Sequence, residues 1–141
     1  MDNPKTLLEH LKDSGMRMTK TRRAVVELLF RSKGPISAQD ILSSLKKGSL
    51  EVNKTTIYRE IDALLAAQVI REVDLLEGKK RYELHLEHDH HHHIICTECK
   101  AVQCVEMDHD LDSIEREILK KHRFKVTSHS LEFFGLCSSC R

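Results

Sequence analysis

The chain has 141 residues, of which 40% are hydrophobic and 32% charged, so it fits one globular domain or two small ones and excludes long disorder. Its apolar runs are too short for a membrane-spanning helix, and its first residues lack the apolar core of a secretory signal, so we expect a cytoplasmic protein. Residues 1–80 hold 15 Lys and Arg against 11 Asp and Glu, whereas residues 81–141 hold 8 against 11. The basic N-terminal part favours binding to a polyanion, and the acidic C-terminal part favours binding to cations.

The first 70 residues are predicted to form four helices joined by short turns. Apolar residues recur at helical spacing in each of them. The first helix ends near Gly15. The next three begin after residues whose side chains cap helix N-termini, namely Thr19, Ser37 (with Asp40 as a capping box) and Asn53.

The fourth predicted helix has two unlike faces. One face is an apolar stripe formed by Ile57, Ile61, Leu64 and Leu65. The other face is polar and includes Lys54, Thr55, Tyr58 and Arg59. Strands at 69–73 and 80–84 follow the helix, and this order predicts a winged-helix domain whose polar helix face enters the major groove of DNA. The competing interpretation is a plain surface helix of an all-α domain.

From residue 85 onwards the sequence predicts a small α/β module, so the whole chain is expected to be an α+β protein. Strand-like segments at 94–95 and 102–105 flank the first pair of cysteines, and residues 110–122 are predicted to form a helix. The alternation from Phe124 to Leu136 predicts a long strand. We place the domains at 1–84 and 85–141, with a hinge near 83–90.

Four of the five cysteines form two CxxC pairs, Cys96 with Cys99 and Cys137 with Cys140. Four thiolates make a closed tetrahedral shell that suits structural zinc. The 37 residues between the pairs exceed the common zinc-ribbon spacing, so a sheet and a helix must be inserted between them. Two disulfides or redox-active thiols are the competing interpretations, and a cytosolic setting disfavours disulfides.

Histidines 90–93 form a run whose alternate residues face opposite sides of a predicted strand. One side predicts a site of mixed nitrogen and sulfur donors: His91, His93, Cys104 and either His85 or Glu83. The other side predicts a further site: His90, His92, His129 and Asp112. Imidazole and thiolate donors favour zinc over magnesium or calcium. The alternative role for Cys104 is that of a small buried hydrophobic residue.

A catalytic role finds little support in the motifs. His85-Leu86-Glu87 followed by Cys96-x-x-Cys99 is similar to the signature of zinc deaminases. The proline of that signature is missing, and only eight residues separate Glu87 from Cys96. The sequence also lacks HExxH, GxSxG and a Gly-rich phosphate loop, so we do not expect an enzyme.

Taken in order, these elements resemble the ferric uptake regulator family of bacterial metal-sensing repressors. The motifs that carry the resemblance are Gly15-Met16-Arg17-Met18-Thr19 with Arg22, Ser37-Ala38-Gln39-Asp40, Thr56-Ile57-Tyr58-Arg59, the His run before Cys96-x-x-Cys99, and Lys121-His122 to His129-Ser130-Leu131-Glu132 with Gly135 and the last CxxC. The resemblance implies a winged-helix DNA-binding domain, a C-terminal dimerisation domain and homodimers on palindromic operators. It implies that Tyr58 and Arg59 lie on the recognition helix and that Arg17 lies near the minor groove.

The resemblance also implies three kinds of metal site. They are a structural zinc at the four cysteines, a hinge sensing site that includes His91 and His93, and a third site at His90, His92, Asp112 and His129. Two departures distinguish this chain: Pro35 stands where iron and peroxide sensors usually have a His ligand, and Cys104 stands where they usually have Asp or Glu. Both favour the soft, tetrahedral coordination of the zinc-uptake branch. That branch would use His85, whereas Glu83 matches the carboxylate of the iron and peroxide sensors.

Together these features predict a metal-responsive transcriptional repressor that binds operator DNA as a homodimer when its hinge site is loaded. The expected metals are a structural Zn²⁺ and a second, regulatory divalent metal, with Zn²⁺ favoured over Fe²⁺ or Mn²⁺. The residues expected at the DNA are Arg17, Lys54, Thr55, Tyr58 and Arg59. The alternatives are a regulator that senses thiol oxidation or peroxide, and a zinc storage or chaperone protein.

Overall fold

The chain forms two compact units, Met1–Asp89 and His90–Arg141. The structure is a computed structural model that describes residues 3–85, 91–107, 111–127 and 129–141, and of His91 it describes only the backbone. Among the described residues, the first unit combines four helices with a three-stranded sheet and the second combines one helix with a three-stranded sheet, which confirms the α+β fold class. Within the described residues, no helix has the length and apolar content needed to cross a membrane.

The first unit has the helix and strand order of a winged helix. Its helices are α1 (Pro4–Asp13), α2 (Lys20–Arg31), α3 (Ala38–Lys47) and α4 (Lys54–Ala66). Its strands are β1 (Ile36–Ser37), β2 (Ile70–Asp74) and β3 (Lys80–Leu84). They form an antiparallel sheet in the order β1-β3-β2, in which β2 and β3 are the hairpin that the sequence predicts.

The predicted helix caps of the first unit are confirmed. At each one, a side-chain oxygen accepts a hydrogen bond from the backbone N–H three residues further on, at 2.8–3.2 Å: Thr19 from Arg22, Ser37 from Asp40, and Asn53 from Thr56. The Asp40 carboxylate in turn accepts a bond from the Ser37 backbone N–H at 3.0 Å, which completes the capping box. Caps of this kind each contribute about 1 kcal/mol to stability.

The apolar stripe of α4 holds this helix on the core. Ile57, Ile61 and Leu64 are at most 1% exposed, while Leu65 is partly buried at the edge of the core. Burying each such side chain contributes about 1.5–3 kcal/mol. Because the stripe occupies one side of α4, the opposite polar side remains available to a partner.

The second unit is built on β4 (His91–Cys96), β5 (Val102–Glu106), α5 (Leu111–His122) and β6 (Glu132–Gly135). Its sheet has the order β5-β4-β6, with β4 in the centre. Strand β5 pairs with β4 in antiparallel fashion, and β6 pairs with β4 in parallel fashion. The connection from β5 to β6 contains α5.

The predicted long strand over 124–136 is wrong, because among the described residues of this range only Glu132–Gly135 forms a strand. Alternation of apolar and polar residues favours an extended backbone, but a strand also needs a hydrogen-bonding partner. Here the partner is β4, and their pairing begins where His93 meets Glu132. The described residues before this point have no such partner strand and lie outside regular structure.

Candidate metal centres and nucleic-acid interface

Two turns bring the four CxxC thiols of the second unit together. Cys96 ends β4 and Cys99 lies in the turn after it, while Cys137 and Cys140 lie just after β6. Because β4 and β6 are parallel neighbours, both turns leave the sheet at the same end. All four sulfur atoms consequently lie within 4.8 Å of one another, and we call this set the cysteine cluster. In the described part of the chain, it is the one group of three or more donors gathered so closely.

Hydrogen bonds hold the two turns of the cysteine cluster together. The backbone N–H of Cys137 donates to Cys96 Sγ at 3.4 Å, and Cys99 Sγ lies 3.8 Å from Cys137 Sγ. The backbone N–H of Thr97 donates to the Gly135 carbonyl at 2.8 Å. The 3.8 Å separation is far longer than a disulfide bond of about 2.05 Å, and the five cysteines, all in described segments, are thiols.

The pKa values of the clustered thiols move in opposite directions. Donation from the backbone N–H groups of Cys137 and Cys99 lowers the pKa of Cys96 to about 6. Hydrogen bonding to the side chains of Cys137, Cys96 and Cys99 raises the pKa of Cys140 to about 12. A thiolate at Cys96 is therefore favoured at neutral pH, and thiolates are the form that binds metal. Four converging sulfurs, one of them readily ionised, fit a tetrahedral Zn²⁺.

His93 and Cys104, two of the predicted ligands, lie on one face of the second sheet. His93 and Cys104 are directly opposite each other on β4 and β5, so their side chains leave the same face. His93 is only 2% exposed, whereas Cys104 is exposed, so the alternative role of Cys104 as a small buried hydrophobic residue is wrong. On the backbone register, Glu106 of β5 lies opposite His91 of β4.

The other face carries His92, which approaches His129. Their ring centroids are 6.0 Å apart, and His92 is 7% exposed. Asp112 lies in the first turn of α5. The residue that contacts His129 is Glu115, whose Oε1 lies 2.8 Å from His129 Nδ1. Glu115 was missed, although its spacing of three residues from Asp112 puts both on one helix face. The predicted partner His90 lies outside the described residues.

Glu83 and His85, the alternative ligands at the end of β3, belong to the first unit. Glu83 is 8% exposed, and its carboxylate accepts a hydrogen bond from Arg71 Nε at 2.6 Å. His85 is exposed, and its backbone N–H donates to the Val69 carbonyl at 2.8 Å. The Glu83 carboxylate is thus engaged in an ion pair, while the His85 ring faces solvent.

The polar face of α4 lies in solvent. Lys54, Thr55, Tyr58 and Arg59 are all exposed, and Lys54 Nζ lies 5.8 Å from the centre of the Tyr58 ring. Asn53 is the N-cap of α4 and Lys54 is its first residue, so a cation lies beside the N-terminal amides of the helix. This arrangement suits phosphate and base-edge contacts in a groove.

Arg22 links the segment that carries Arg17 to α4. Its Nη1 donates to the Arg17 carbonyl at 2.7 Å, and its Nε donates to Glu60 Oε2 at 2.7 Å. The side chains of Arg22 and Glu60 are 16% and 13% exposed, so the pair is shielded from solvent. The exposed Arg17 is thereby tied through its backbone to the helix that carries Tyr58 and Arg59.

A winged-helix unit followed by a unit that gathers metal-binding side chains is the organisation of a metal-dependent transcription regulator. The model of the ferric uptake regulator family matches residues 13–134. The ferric uptake regulation protein of Bacillus subtilis (strain 168) is 33% identical over 135 residues, which cover 94% of this chain and 90% of that protein.

Solved structures show the same relationship. The ferric uptake regulator of Helicobacter pylori matches with a TM-score of 0.77 and 26% identity, over 98% of this chain and 93% of that one. That of Vibrio cholerae matches with a TM-score of 0.72 and 29% identity, over 92% and 98%. The chain therefore belongs to the ferric uptake regulator family, whose members are metal-responsive transcriptional regulators and not enzymes.

Proposed function

We propose that the chain is a metal-responsive repressor that binds palindromic operator DNA as a homodimer when its regulatory site is loaded. The observation that carries the proposal is the cysteine cluster, in which four thiols are gathered as metal ligands. The other unit of the same chain is a winged helix in which one face of α4 is exposed and basic. A zinc storage protein would need the cluster and not the winged helix.

The cysteine cluster is proposed as the structural zinc site, held by Cys96, Cys99, Cys137 and Cys140. When bound, Zn²⁺ supplies a cross-link between the turn after β4 and the turn after β6. The contribution of the chain is to bring these turns to one end of the sheet and to stabilise the Cys96 thiolate by backbone donation.

The apolar surface of the second unit supports the homodimer. No residue of α5, all of which the structure describes, is buried. The large apolar residues left exposed in this unit are Ile94, Ile114, Leu119, Phe124, Phe133, Phe134 and Leu136. Monomeric proteins rarely expose so many large apolar side chains in so short a segment, and a second copy of the chain would cover them.

The regulatory site is proposed to take His91, His93 and Cys104 from the second unit and His85 from the first. The pairing of His93 with Cys104 on adjacent strands supports a mixed nitrogen and sulfur shell, which favours Zn²⁺ over Fe²⁺ and Mn²⁺. The ion pair of Glu83 with Arg71 supports His85 over Glu83 as the ligand from the first unit. A further site at His90, His92, Asp112 and His129 is proposed in addition, and the ferric uptake regulator of Helicobacter pylori has three functional metal binding sites.

Ligands from both units on one ion would restrict how far the winged helices of a dimer move apart. Two recognition helices must reach half-sites about 34 Å apart, one turn of DNA, so restriction to that separation favours the operator complex. Loading therefore shifts the population of dimers towards those competent to bind. The DNA contacts themselves would come from Arg17, Lys54, Thr55, Tyr58 and Arg59.

Replacement of His91 by Ala tests the regulatory site. The variant is expected to keep its tightly held zinc and its dimer but to lose metal-dependent binding to a palindromic operator, measured by gel shift with added Zn²⁺ and with a chelator. The matched control is His122→Ala at the exposed end of α5, which should respond to metal like the parent protein. A His91→Ala variant that still binds DNA only in the presence of metal would place the regulatory site elsewhere.

A further inference from the structure

The contact between His129 and Glu115 fixes which nitrogen of the imidazole carries its proton. Glu115 Oε1 lies 2.8 Å from His129 Nδ1, which is hydrogen-bonding distance. An ionised carboxylate can only accept a hydrogen bond, so Nδ1 must be the donor. In a neutral imidazole with its proton on Nδ1, the lone pair is on Nε2. The pair therefore presents Nε2 of His129 as a metal ligand.

The position of His92 supports a shared ion. With Zn–N bonds of about 2.0–2.1 Å, two imidazoles on one tetrahedral ion have ring centroids about 5–6 Å apart. The observed separation of the His92 and His129 rings is 6.0 Å. The two rings are thus spaced like two ligands of one metal, while Glu115 lies against the other nitrogen of His129.

We propose that Glu115 is a positioning residue for His129, which lies beside His92 in the proposed further metal site. It acts from outside the metal shell, because it holds His129 in the tautomer and orientation that direct Nε2 towards the ion. This inference rests on the proposed function, which supplies the site, but the role of Glu115 follows from the hydrogen bond. Asp112 lies three residues before Glu115 in α5 and keeps its proposed role as the carboxylate that binds the ion directly.

A surface ion pair is the competing explanation of the same contact. The side chains of His129 and Glu115 are 35% and 32% exposed, and pairs this accessible contribute little to stability. An ion pair needs a protonated imidazole, whereas the positioning role needs a neutral imidazole with its proton on Nδ1. The two explanations therefore differ in an observable property of the His129 ring.

Nitrogen NMR of the histidine rings tests the proposal in the full-length protein with zinc in the cysteine cluster and no other metal. In its neutral form, the His129 ring is expected to carry its proton on Nδ1. Glu115→Ala should give a mixture of the two tautomers, and Glu115→Gln should restore the Nδ1 proton, since an amide oxygen also accepts. The matched control is Glu117→Ala, because Glu117 lies on the same helix and pairs with Lys121. A proton on Nε2 in the parent protein, or an unchanged tautomer in Glu115→Ala, overturns the proposal.

A Zn²⁺ titration gives the second readout. In a His93→Ala background, which removes a ligand of the regulatory site, Glu115→Ala should lower the affinity for exchangeable Zn²⁺ by roughly 10–100-fold. Glu115→Gln should recover most of the loss, and Glu117→Ala should show none. Equal affinity in Glu115→Ala and its parent overturns the positioning role. DNA binding that ignores metal, with the tautomer change intact, would count against the proposed repressor function and leave the role of Glu115 standing.

Discussion

The ionisation of Asp40 is coupled to the start of α3. Its Oδ2 accepts hydrogen bonds from the Ser37 hydroxyl at 2.6 Å and from the Ser37 backbone N–H at 3.0 Å. These two bonds lower the pKa of Asp40 below its ordinary value of 3.8. A carboxyl group with a lowered pKa in the folded state stabilises the fold above its unfolded pKa, and this contribution disappears as the pH falls through the folded pKa.

Asp40→Asn is therefore expected to lower the free energy of unfolding at neutral pH and to match the parent protein in strong acid. The loss should be about 1 kcal/mol or less, because this is a single helix cap and the Asp40 side chain is 49% exposed to solvent. The measurement is urea unfolding at pH 7 and below about pH 3, followed by tyrosine fluorescence, since both tyrosines, Tyr58 and Tyr82, lie in the first unit. Asp13→Asn at the end of α1 is the control. A difference between Asp40→Asn and parent that persists unchanged in acid would contradict the assignment.

Individual site residues could be predicted from the sequence where a short motif or spacing identifies them. The CxxC spacing and the alternation of the His run indicate donors directly, and the strand register does bring His93 opposite Cys104. The contact of Glu115 depends on how the segment with His129 packs against α5, and the Arg22–Glu60 pair depends on which helix faces meet. No short motif encodes either contact. The choice between Glu83 and His85 likewise depended on Arg71, a cross-strand neighbour that the motif does not contain.

At the scale of elements, α4 combines rigid placement with an exposed working face. Its buried stripe and the Arg22–Glu60 ion pair fix the helix against the rest of the first unit. Its exposed side carries the cations expected at DNA. A helix held this firmly loses little conformational freedom when it enters a groove, which favours binding.

Arg59→Ala is expected to weaken operator binding without changing metal content. Loss of one phosphate contact should reduce the slope of log K against log salt by roughly one unit. If Arg59 also contacts a base edge, discrimination against mutated operators should fall by about 1–3 kcal/mol. The measurement is a series of binding titrations over salt concentration, with Lys120→Ala in α5 as the control cation. Altered zinc stoichiometry in Arg59→Ala, or an unchanged salt slope, would contradict a role at DNA.

Elements with two independent signals were predicted best. The helices α2, α3 and α4 have both an apolar stripe and a side-chain cap, and each begins at the residue after its cap. The predicted hairpin of β2 and β3 also forms. The predicted strand over 124–136 had alternation alone, and a parallel partner 39 residues away limited it to four residues. Pairing at that distance leaves no trace in a short window of sequence.

At the scale of the whole molecule, the cysteine cluster is proposed to hold the second unit together. Most of the apolar side chains of that unit are at its surface, and its buried apolar residues are few. A unit of this size with so small a core needs a metal or a partner for stability. Zinc in the cluster and a second copy on the apolar surface would supply both.

Cys96→Ser is expected to lose the tightly held zinc and the dimer while the first unit stays folded. Removal of one of four thiolates leaves an incomplete shell, and the folding energy that comes from metal binding is lost with it. The measurements are zinc content, sedimentation velocity and tyrosine fluorescence, the last of which reports the first unit alone. Cys104→Ser, which lies outside the cluster, should retain the tightly held zinc. A dimer of normal stability in Cys96→Ser would contradict the structural role.

Parallel pairing of β4 with β6 imposes an order on biosynthesis. Strand β4 pairs with β6 from His93 and Glu132 onwards, and the cysteine cluster needs both Cys96 and Cys140. The second sheet therefore cannot form until nearly all of its residues have left the ribosome. Domains nearer the N-terminus fold first during translation, so the winged helix is complete before the zinc shell is. In a chain made in a zinc-starved cell, the first unit would be folded while the second unit would remain unfolded and open to proteases. The number of surviving molecules would then record zinc supply at the time of synthesis, independently of any later switching.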